Sequence, residues 1–336
     1  MWSTVSSGGL PAGERFEWFS DLVSREVMPT VISSERPASF HAEAAVMELG
    51  ELRVSRLAYS PLRSRRTPAL IRRSDPEQYQ LALVSAGAMS LAQHGNDCGA
   101  GVGDLVFWDT SRPSDARSPT GDDREQQLVI LQLPRTVLPL RPRQLDRLLA
   151  RRIAGGSGMT PVLASFMTSL VDHGDQCSPT QLRQLGTVAA DLAAACLAQQ
   201  LDTEEQLPAE VRQRALVQQI HTYIEHNLGD PQLNPAVIAA RHGISVRKLH
   251  QLFHGHDESV HSRIRRRRLE RCRADLALPG ALARPVHLIA ARWGFSGPAV
   301  FSRAFREAYG VSPTEFRALS INETCAGCTL RRSALS

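Results

Sequence analysis

The stretch IAARHGIS at residues 238–245 recurs as IAARWGFS at residues 289–296, with six of the eight positions identical. The small alanines let a second helix pack closely, and Gly243 and Gly294 suit the left-handed residue that ends a helix. Ser245 is a good cap for a following helix. The repeat therefore predicts two copies of one structural unit, each a short helix, a tight turn and a second helix.

Each copy has a start signal and a second helix of its own. Asn234 can cap the first short helix with Pro235 at its first position, and Pro285 is expected to play the same part in the second copy. The second helices are VRKLHQLF (246–253) and PAVFSRAFREAY (298–309). Inward-facing positions are predicted to be Leu249, Leu252, Phe253, Val300, Phe301, Ala304 and Phe305. Outward-facing positions are predicted to be Arg247, Lys248, His250, Gln251, Ala299, Ser302, Arg303 and Arg306. A helix-turn-helix places such a second helix in the major groove of DNA.

Between the copies lies the connector SRIRRRRLERCRADLAL, residues 262–278. Ile264, Leu269, Cys272 and Leu276 provide an apolar helical face, and arginines surround it. These arginines either form a solvated face or contact phosphates from a rigid helix that sets the spacing of the two units. If both units enter successive major grooves, their separation is about 34 Å, or ~10 bp.

Charge is distributed unevenly along the 336 residues, with a net charge of −5 over residues 1–210 and +10 over residues 211–336. A basic C-terminal third points to a polyanion as partner. No long apolar run and no leader of basic then apolar residues is present, which predicts a cytoplasmic, nucleoid-associated protein without a membrane partner. The six scattered cysteines are expected to be reduced thiols, and Cys325 and Cys328 lack two further zinc ligands nearby.

The remainder of the chain divides into a strand-rich part and a helical part. Residues 14–28 predict a helix. From about 38 to 135, short segments rich in Val, Leu, Tyr and Phe alternate with Gly, Asp, Ser and Pro, which predicts an antiparallel β-sandwich or barrel. Helical periodicity returns over 143–201, and the acidic segment 202–210, which contains Pro208, predicts a linker.

Residues 291–317, ARWGFSGPAVFSRAFREAYGVSPTEFR, resemble the signature of the AraC/XylS transcription regulators, and the resemblance extends over about 212–320. GDLVFWDTSRP, residues 103–113, and the helices after it resemble more loosely the cupin-like ligand-binding and dimerisation domain of that family. The resemblance implies an α+β multidomain fold: an N-terminal cupin-like β-barrel or sandwich with flanking helices, and a C-terminal all-α domain with two helix-turn-helix units joined by a linker helix. The expected domains are a sensor domain (1–140), a helical dimerisation segment (141–201), a linker (202–210), a DNA-binding domain (211–320) and a tail (321–336).

The resemblance also implies a function. It predicts a sequence-specific regulator, usually an activator, with double-stranded DNA and RNA polymerase as partners, a small-molecule effector and a homodimeric state. Base contacts are expected from Arg247, His250, Gln251, Ala299, Ser302 and Arg303. Arg303 is the leading candidate because Arg can form two hydrogen bonds with guanine. Backbone contacts are expected from Ser245, Lys248, Arg265, Arg266, Arg267, Arg268, Ser296 and Arg306. The family often has polar residues where this chain has Gly297-Pro298-Ala299-Val300, so the second unit is expected to read few bases, among them a thymine methyl through Ala299.

Three other interpretations are open at this point. The repeat could be two ordinary helical hairpins, although their basic faces favour DNA binding. A regulator without a small effector, controlled by a partner protein, would have the same sequence features. A cupin-type metalloenzyme would need several converging ligands, and the strand-rich part offers only His41 and His94. No nucleophile set or nucleotide-binding motif is present, so neither enzyme activity nor a cofactor is expected. Phe107 and Trp108 are assigned to the core, and no ligand-binding residue is named.

Overall fold

A computed structural model describes residues 2–118, 125–202, 207–253, 258–278 and 284–319 of the chain. Internal contacts divide the chain into two units, Met1–Leu216 and Val217–Ser336. The division falls inside helix α6 (Ala209–His226), beyond the segment 202–210 predicted as the linker. Residues 209 and 210 are helical instead, because the helix begins directly after Pro208, which disfavours helical backbone only in the residue before it.

Two antiparallel sheets, with strands numbered in chain order, form the N-terminal unit. The larger sheet contains, in spatial order, β1 (Ser3–Ser6), β3 (Ala42–Leu49), β4 (Leu52–Tyr59), β11 (Gln126–Pro134), β6 (Gln78–Ala86), β9 (Leu105–Asp109) and β12 (Arg152–Ile153). The smaller sheet contains β2 (Val31–Ser33), β5 (Arg63–Arg66), β10 (Ser114–Arg117), β7 (Ala88–Gln93) and β8 (Asn96–Gly101). The prediction of a strand-rich, cupin-like N-terminal domain is confirmed.

The larger sheet is covered on both faces. On β6, Leu81 and Leu83 belong to one core, while Ala82 and Val84 belong to a second core that also contains residues of the smaller sheet. This division follows from the alternation of side chains along a strand. Because neither face meets water, β6, β9 and β11 have nearly continuous apolar sequences instead of an alternating pattern.

Helices complete the two cores. Helix α1 (Arg15–Glu26), which lies within the predicted helix 14–28, packs in the core between the sheets through Phe19, Leu22 and Val23. The other core is closed by α4 (Thr160–His173) and α5 (Pro179–Gln200). Two short helices, α2 (Pro68–Arg73) and α3 (Pro142–Leu145), lie in connections.

Helix α5 approaches the larger sheet closely. A Cβ atom built on Gly186 would lie 1.9 Å from the carbonyl oxygen of Leu49, so only glycine fits at this position. The apolar stripe of α5, with Leu192, Cys196 and Leu197, is buried in the same core. This part of the predicted dimerisation segment (141–201) is therefore used inside the N-terminal unit. The part before α4 is also less helical than expected, since it contributes strand β12 to the sheet.

Arg66 connects several segments of the N-terminal unit through hydrogen bonds. Its side chain is fully buried, and its guanidinium donates hydrogen bonds to the carbonyl oxygens of Thr110, Pro29 and Ser74 at 3.0, 2.5 and 2.7 Å. Asp75 lies 3.8 Å away and supplies the nearest opposite charge. A buried cation is tolerated here because acceptors replace the lost water.

The C-terminal unit is helical throughout the part that the structure describes. After α6 come α7 (Pro235–Arg241), α8 (Val246–Phe253), α9 (Val260–Ala277), α10 (Val286–Arg292), α11 (Pro298–Tyr309) and a final helical segment at 313–319. A capping box lies at the start of that segment. The backbone N–H of Ser312 donates to Glu315 Oε2 at 2.7 Å, and the N–H of Glu315 donates to Ser312 Oγ at 3.2 Å.

Candidate nucleic-acid interface

The first repeat folds as a helix-turn-helix. Asn234 caps α7 by accepting from the backbone N–H groups of Ala236 and Val237. Gly243 adopts the left-handed conformation, with φ of 63°, and the N–H of Ile244 donates to the carbonyl of Ala239 across the turn. This bond closes a helix end of the Schellman type. Ser245 then caps α8 through a 3.1 Å bond from the N–H of Lys248.

The second repeat has the same turn followed by one additional residue. Gly294 has φ of 75°, and Phe295 donates to Ala290, the counterpart of the bond in the first turn. The cap of α11 is Gly297, however, so Ser296 is an extra position between turn and helix. Pro285 also differs from the prediction. It occupies the cap position of α10 instead of the first helical position, and its side chain makes no capping bond.

The extra residue changes the register of the second recognition helix. Buried Leu249 in α8 corresponds to Phe301 in α11, an offset of 52 residues, whereas the turns are 51 residues apart. Val300 therefore takes the place of Lys248 and is 53% exposed. The prediction that Val300 faces inward is wrong, because this apolar residue lies beside the buried stripe that Phe301, Ala304 and Phe305 form. The other inward assignments in both helices are confirmed by burial.

All six candidates for base contacts are exposed, as are Ser245, Lys248, Ser296 and Arg306. Among the described residues, Arg247, Lys248, His250 and Gln251 form no side-chain hydrogen bond or ion pair, so their polar groups are available to a ligand. Arg303 lies along α11, where its Nε donates to the carbonyl of Ala299 at 3.4 Å. Exposed basic and polar side chains thus lie on both recognition helices, the elements that read base edges in this motif.

Two of the connector arginines have structural roles. Arg267 forms a bidentate pair with Glu225 of α6, with an Nη2 to Oε2 distance of 2.8 Å. Burial alone would raise the pKa of Glu225, but hydrogen bonds and charge from Arg267 and Arg271 outweigh it and lower that pKa. Arg268 donates through Nε to the carbonyl of Leu228 at 2.9 Å and also to that of Asp230. The assignment of Arg267 and Arg268 to DNA phosphates is therefore withdrawn, because both guanidinium groups hold α9 against the end of α6.

Arg265 and Arg266 differ from Arg267 because their own side chains are more exposed, whereas the Arg267 side chain is 30% exposed. Arg265 pairs with Glu307, and Arg266 pairs with Glu258 at 2.9 Å and with Glu270. The arginine side chains are 46% and 47% exposed. Exposed pairs of this kind contribute about 0–1 kcal/mol, so a phosphate can replace the carboxylate. These two arginines keep their assignment to the DNA backbone as a prediction.

The N-terminal unit contains a small cavity between its sheets. The cavity measures about 80 Å³ and is lined mainly by apolar side chains, among them Val23, Leu57, Met89 and Trp108. Trp108 faces it, whereas Phe107 points into the other core. The sequence identified neither the cavity nor its lining, because strand alternation places these two residues on opposite faces without showing which face encloses space.

The histidines of the strand-rich part have ordinary partners. His41 Nδ1 lies 2.8 Å from Ser60 Oγ, and His94 Nδ1 accepts from Arg112 at 2.8 Å. Within the described ranges, no group of three His, Cys, Asp or Glu side chains could hold a metal ion, and no helix is long and apolar enough to cross a membrane. Cys325, Cys328 and the rest of the predicted tail (321–336) lie outside the described residues.

Comparison with known proteins supports both halves of this description. The family described as AraC-binding-like domain matches residues 19–202, which is more than half of the chain, and the family described as helix-turn-helix domain matches residues 238–319. The transcriptional activator NphR of Rhodococcus sp is 27% identical over 311 residues, covering 92% of this chain and 90% of NphR. The crystal structure of the AraC-like transcriptional activator CuxR aligns with a TM-score of 0.52 at 20% identity, over 80% of this chain and 94% of CuxR. The similarity to CuxR shows the fold.

Proposed function

Because the chain belongs to the AraC/XylS family of DNA-binding transcription regulators, we propose that α8 and α11 are the two helices that enter the major groove. The observation that carries this proposal is the repeated turn, which holds two helices with exposed polar faces in one unit. The residues proposed to contact bases are Arg247, His250, Gln251, Ala299, Ser302 and Arg303. Arg303 is proposed to contact guanine, because its planar guanidinium group can donate two hydrogen bonds to the O6 and N7 acceptors.

Backbone contacts are proposed from side chains at the edges of the same surface. Lys248 and Arg306 supply positive charge, and Ser245 and Ser296 supply hydroxyl groups next to the two turns. Arg265 and Arg266 join them from the connector helix. These contacts position the unit on the duplex without reading sequence.

The proposed biological role is activation of transcription in the cytoplasm in response to a small molecule bound by the N-terminal unit. Two observations support it: NphR and CuxR are both named activators, and the N-terminal unit contains a mainly apolar cavity. RNA polymerase is the proposed partner in activation. We retain a homodimer in the proposal, although the apolar stripe of α5 is buried within its own unit and cannot form the contact.

The test uses the full chain and an operator selected from random DNA. Arg303→Ala is expected to weaken binding to that operator by about 1–3 kcal/mol, or roughly 5- to 150-fold, and to relax preference at one guanine. Arg271→Ala is the matched control, because Arg271 is a similarly exposed arginine that pairs with Glu225 and is not placed on a base. Recovery of no preferred sequence by the wild-type chain would refute the proposed function, and unchanged affinity and preference in Arg303→Ala would refute the role of Arg303.

A further inference from the structure

One polar group in the cavity of the N-terminal unit has no partner. Gln80, on β6, is fully buried and lines the cavity. Its Nε2 donates to the carbonyl of Val27 at 3.0 Å, whereas its Oε1 has no hydrogen-bond partner within the part of the chain that the structure describes. Leaving a buried acceptor without a donor costs about 1–3 kcal/mol. Some donor is therefore expected to reach this oxygen from the cavity.

The orientation of the Gln80 amide is determined by its other contact. If the side chain were flipped, Oε1 would face the carbonyl oxygen of Val27, and two acceptors would meet. The bond to Val27 therefore keeps Nε2 on that side and Oε1 free. The cavity thus presents an acceptor to any molecule that enters it.

The remaining walls favour a neutral molecule. Tyr59 is also part of the lining, and burial, opposed by a hydrogen bond from Ser118, raises the pKa of its hydroxyl to about 12. The one charged side chain among the described residues that line the cavity is Arg117, which is 56% exposed and pairs with Asp115 at 3.0 Å. An ion among the apolar side chains would lose its hydration without gaining a buried counter-charge.

We propose that this cavity binds a small, neutral, mainly apolar molecule that carries one O–H or N–H group, and that this group donates to Gln80 Oε1. The identification of this molecule as the effector rests on the proposed function, but its binding does not. A dry cavity of about 150 Å³ can hold benzene, so a cavity of about 80 Å³ accepts a compact group of a few heavy atoms. A larger ligand would extend past Met89 and Ser118, which also border the wider cleft outside.

Methionine methyl groups allow binding to be observed directly in the full chain. Met28 and Met89 line the cavity, whereas Met47, Met159 and Met167 lie in the other core and serve as internal references. The chain is labelled with ¹³C at its methionine methyl groups and titrated separately with 2-propanol, acetone and isopropylammonium, each of which has four heavy atoms. The alcohol can donate a hydrogen bond, the ketone of equal size cannot, and the ammonium ion is charged.

2-Propanol is expected to shift the signals of Met28 and Met89 only, and to bind at least about fivefold more tightly than acetone, since a missing hydrogen bond to a buried acceptor costs about 1–3 kcal/mol. Isopropylammonium is expected to leave both signals in place. Equal affinity for alcohol and ketone in the wild-type chain would overturn the proposed contact. Equal binding of the ammonium ion would overturn neutrality, and unmoved Met28 and Met89 signals with every probe would show that the cavity holds water only.

Gln80→Leu is expected to remove the preference for the alcohol over the ketone. Gln132→Leu is the matched control, because Gln132 is a buried glutamine on the adjacent strand β11 whose amide donates to Glu26 and Ser55 and does not line the cavity. If the preference for the alcohol were retained in Gln80→Leu and lost in Gln132→Leu, Gln80 would not be the acceptor of the ligand's hydrogen bond. If Gln80→Leu does not fold, the comparison of alcohol and ketone in the wild type still tests whether the ligand donates a hydrogen bond in the cavity. Because no DNA is used, these results are independent of the proposed DNA-binding function.

Discussion

At the scale of single residues, His242 makes the first helix-turn-helix sensitive to acid. It directly precedes Gly243, its ring packs edge-on against Tyr223 at 5.5 Å, and its buried Nε2 has no partner in the described part of the unit. Burial, helped by the charge of Arg241, lowers the pKa of His242 below its ordinary value. The folded state therefore disfavours the protonated ring, and in the second repeat Trp293 replaces it and donates instead to Asp275 at 2.9 Å.

The pH dependence follows from the sign of this shift. Below a pH of about 6.5, His242 takes up a proton in the unfolded chain more readily than in the folded chain. The free energy of unfolding is therefore unaffected by this residue above that pH. It decreases as the pH falls further, by at most about 1.4 kcal/mol per pH unit. His242→Phe keeps the edge-on ring contact but removes the pH-dependent contribution of His242 to stability. We expect the melting temperature of the wild type to fall relative to His242→Phe between pH 7.5 and 5.5. Parallel pH profiles of the two proteins would contradict this expectation.

At the scale of elements, the two turns differ in how tightly their glycines are enclosed. A Cβ atom on Gly243 would meet nothing within 4 Å, whereas one on Gly294 would lie 2.8 Å from the guanidinium of Arg268 and from the carbonyl of Leu228. The second turn is therefore packed against Arg268 of α9 and against the backbone that follows α6, while the first turn is open.

Alanine substitution at the two glycines provides a matched comparison. Gly243→Ala is expected to cost about 1–2 kcal/mol, since only the left-handed backbone conformation penalises it. Gly294→Ala carries the same penalty and additional steric strain, so its free energy of unfolding should fall further. Chemical denaturation of both variants measures the difference. Equal losses would show that Arg268 and the carbonyl of Leu228 move aside at no cost.

Helix α11 also differs from α8 in what it presents to DNA. The extra residue after the second turn places Val300 where α8 has Lys248, next to Ala299. Apolar side chains at these positions suit the 5-methyl group of thymine. The second unit is thus expected to recognise thymine by methyl contact in addition to any guanine read by Arg303.

Replacing single thymines of the selected operator by deoxyuridine removes only the methyl group. At one position in the second half-site, this change is expected to weaken wild-type binding by about 0.8 kcal/mol, roughly fourfold, and to have little effect on Val300→Ala. Lys248→Ala should lower affinity for both DNAs alike. The contact is excluded if no thymine of that half-site is sensitive, or if Val300→Ala keeps the full sensitivity.

At the scale of the whole molecule, affinity for DNA depends on how many cations are available to phosphate, not on how many the chain contains. The net charge of +10 over residues 211–336 includes arginines that are already paired with Glu225 or with backbone carbonyls. Each phosphate contact releases counterions and adds about 0.9 to the slope of log affinity against log salt concentration.

Glutamine substitutions separate the two kinds of arginine. The double variant Arg265→Gln/Arg266→Gln is expected to reduce the salt slope by up to about 2 with little change in stability. Arg267→Gln should leave the slope unchanged and lower stability by about 1–3 kcal/mol, because Glu225 loses charge-assisted hydrogen bonds. Salt titrations of binding and melting curves measure both quantities, and a shallower slope for Arg267→Gln would return this residue to the DNA surface.

Sequence alone was sufficient for features that depend on neighbouring residues. The repeat, the two left-handed glycines, the caps at Asn234 and Ser245 and the inward positions of α8 follow from local backbone and helical geometry, and the structure confirms them. Val300 is the single error within the recognition helices: its apolar side chain predicts burial, but it lies beside the buried stripe of Phe301, Ala304 and Phe305 and is exposed.

What only the tertiary structure decided depends on groups that are distant in the sequence. Nothing in the run RRRR distinguishes Arg265 and Arg266 from Arg267 and Arg268, because the difference lies in whether Glu225 and the carbonyl of Leu228 are within reach. The burial of Arg66 and the free acceptor of Gln80 are likewise products of packing between sheets and helices. Local pattern thus determined which helices form the two helix-turn-helix units, while long-range contacts determined which side chains on them are free of partners within the protein.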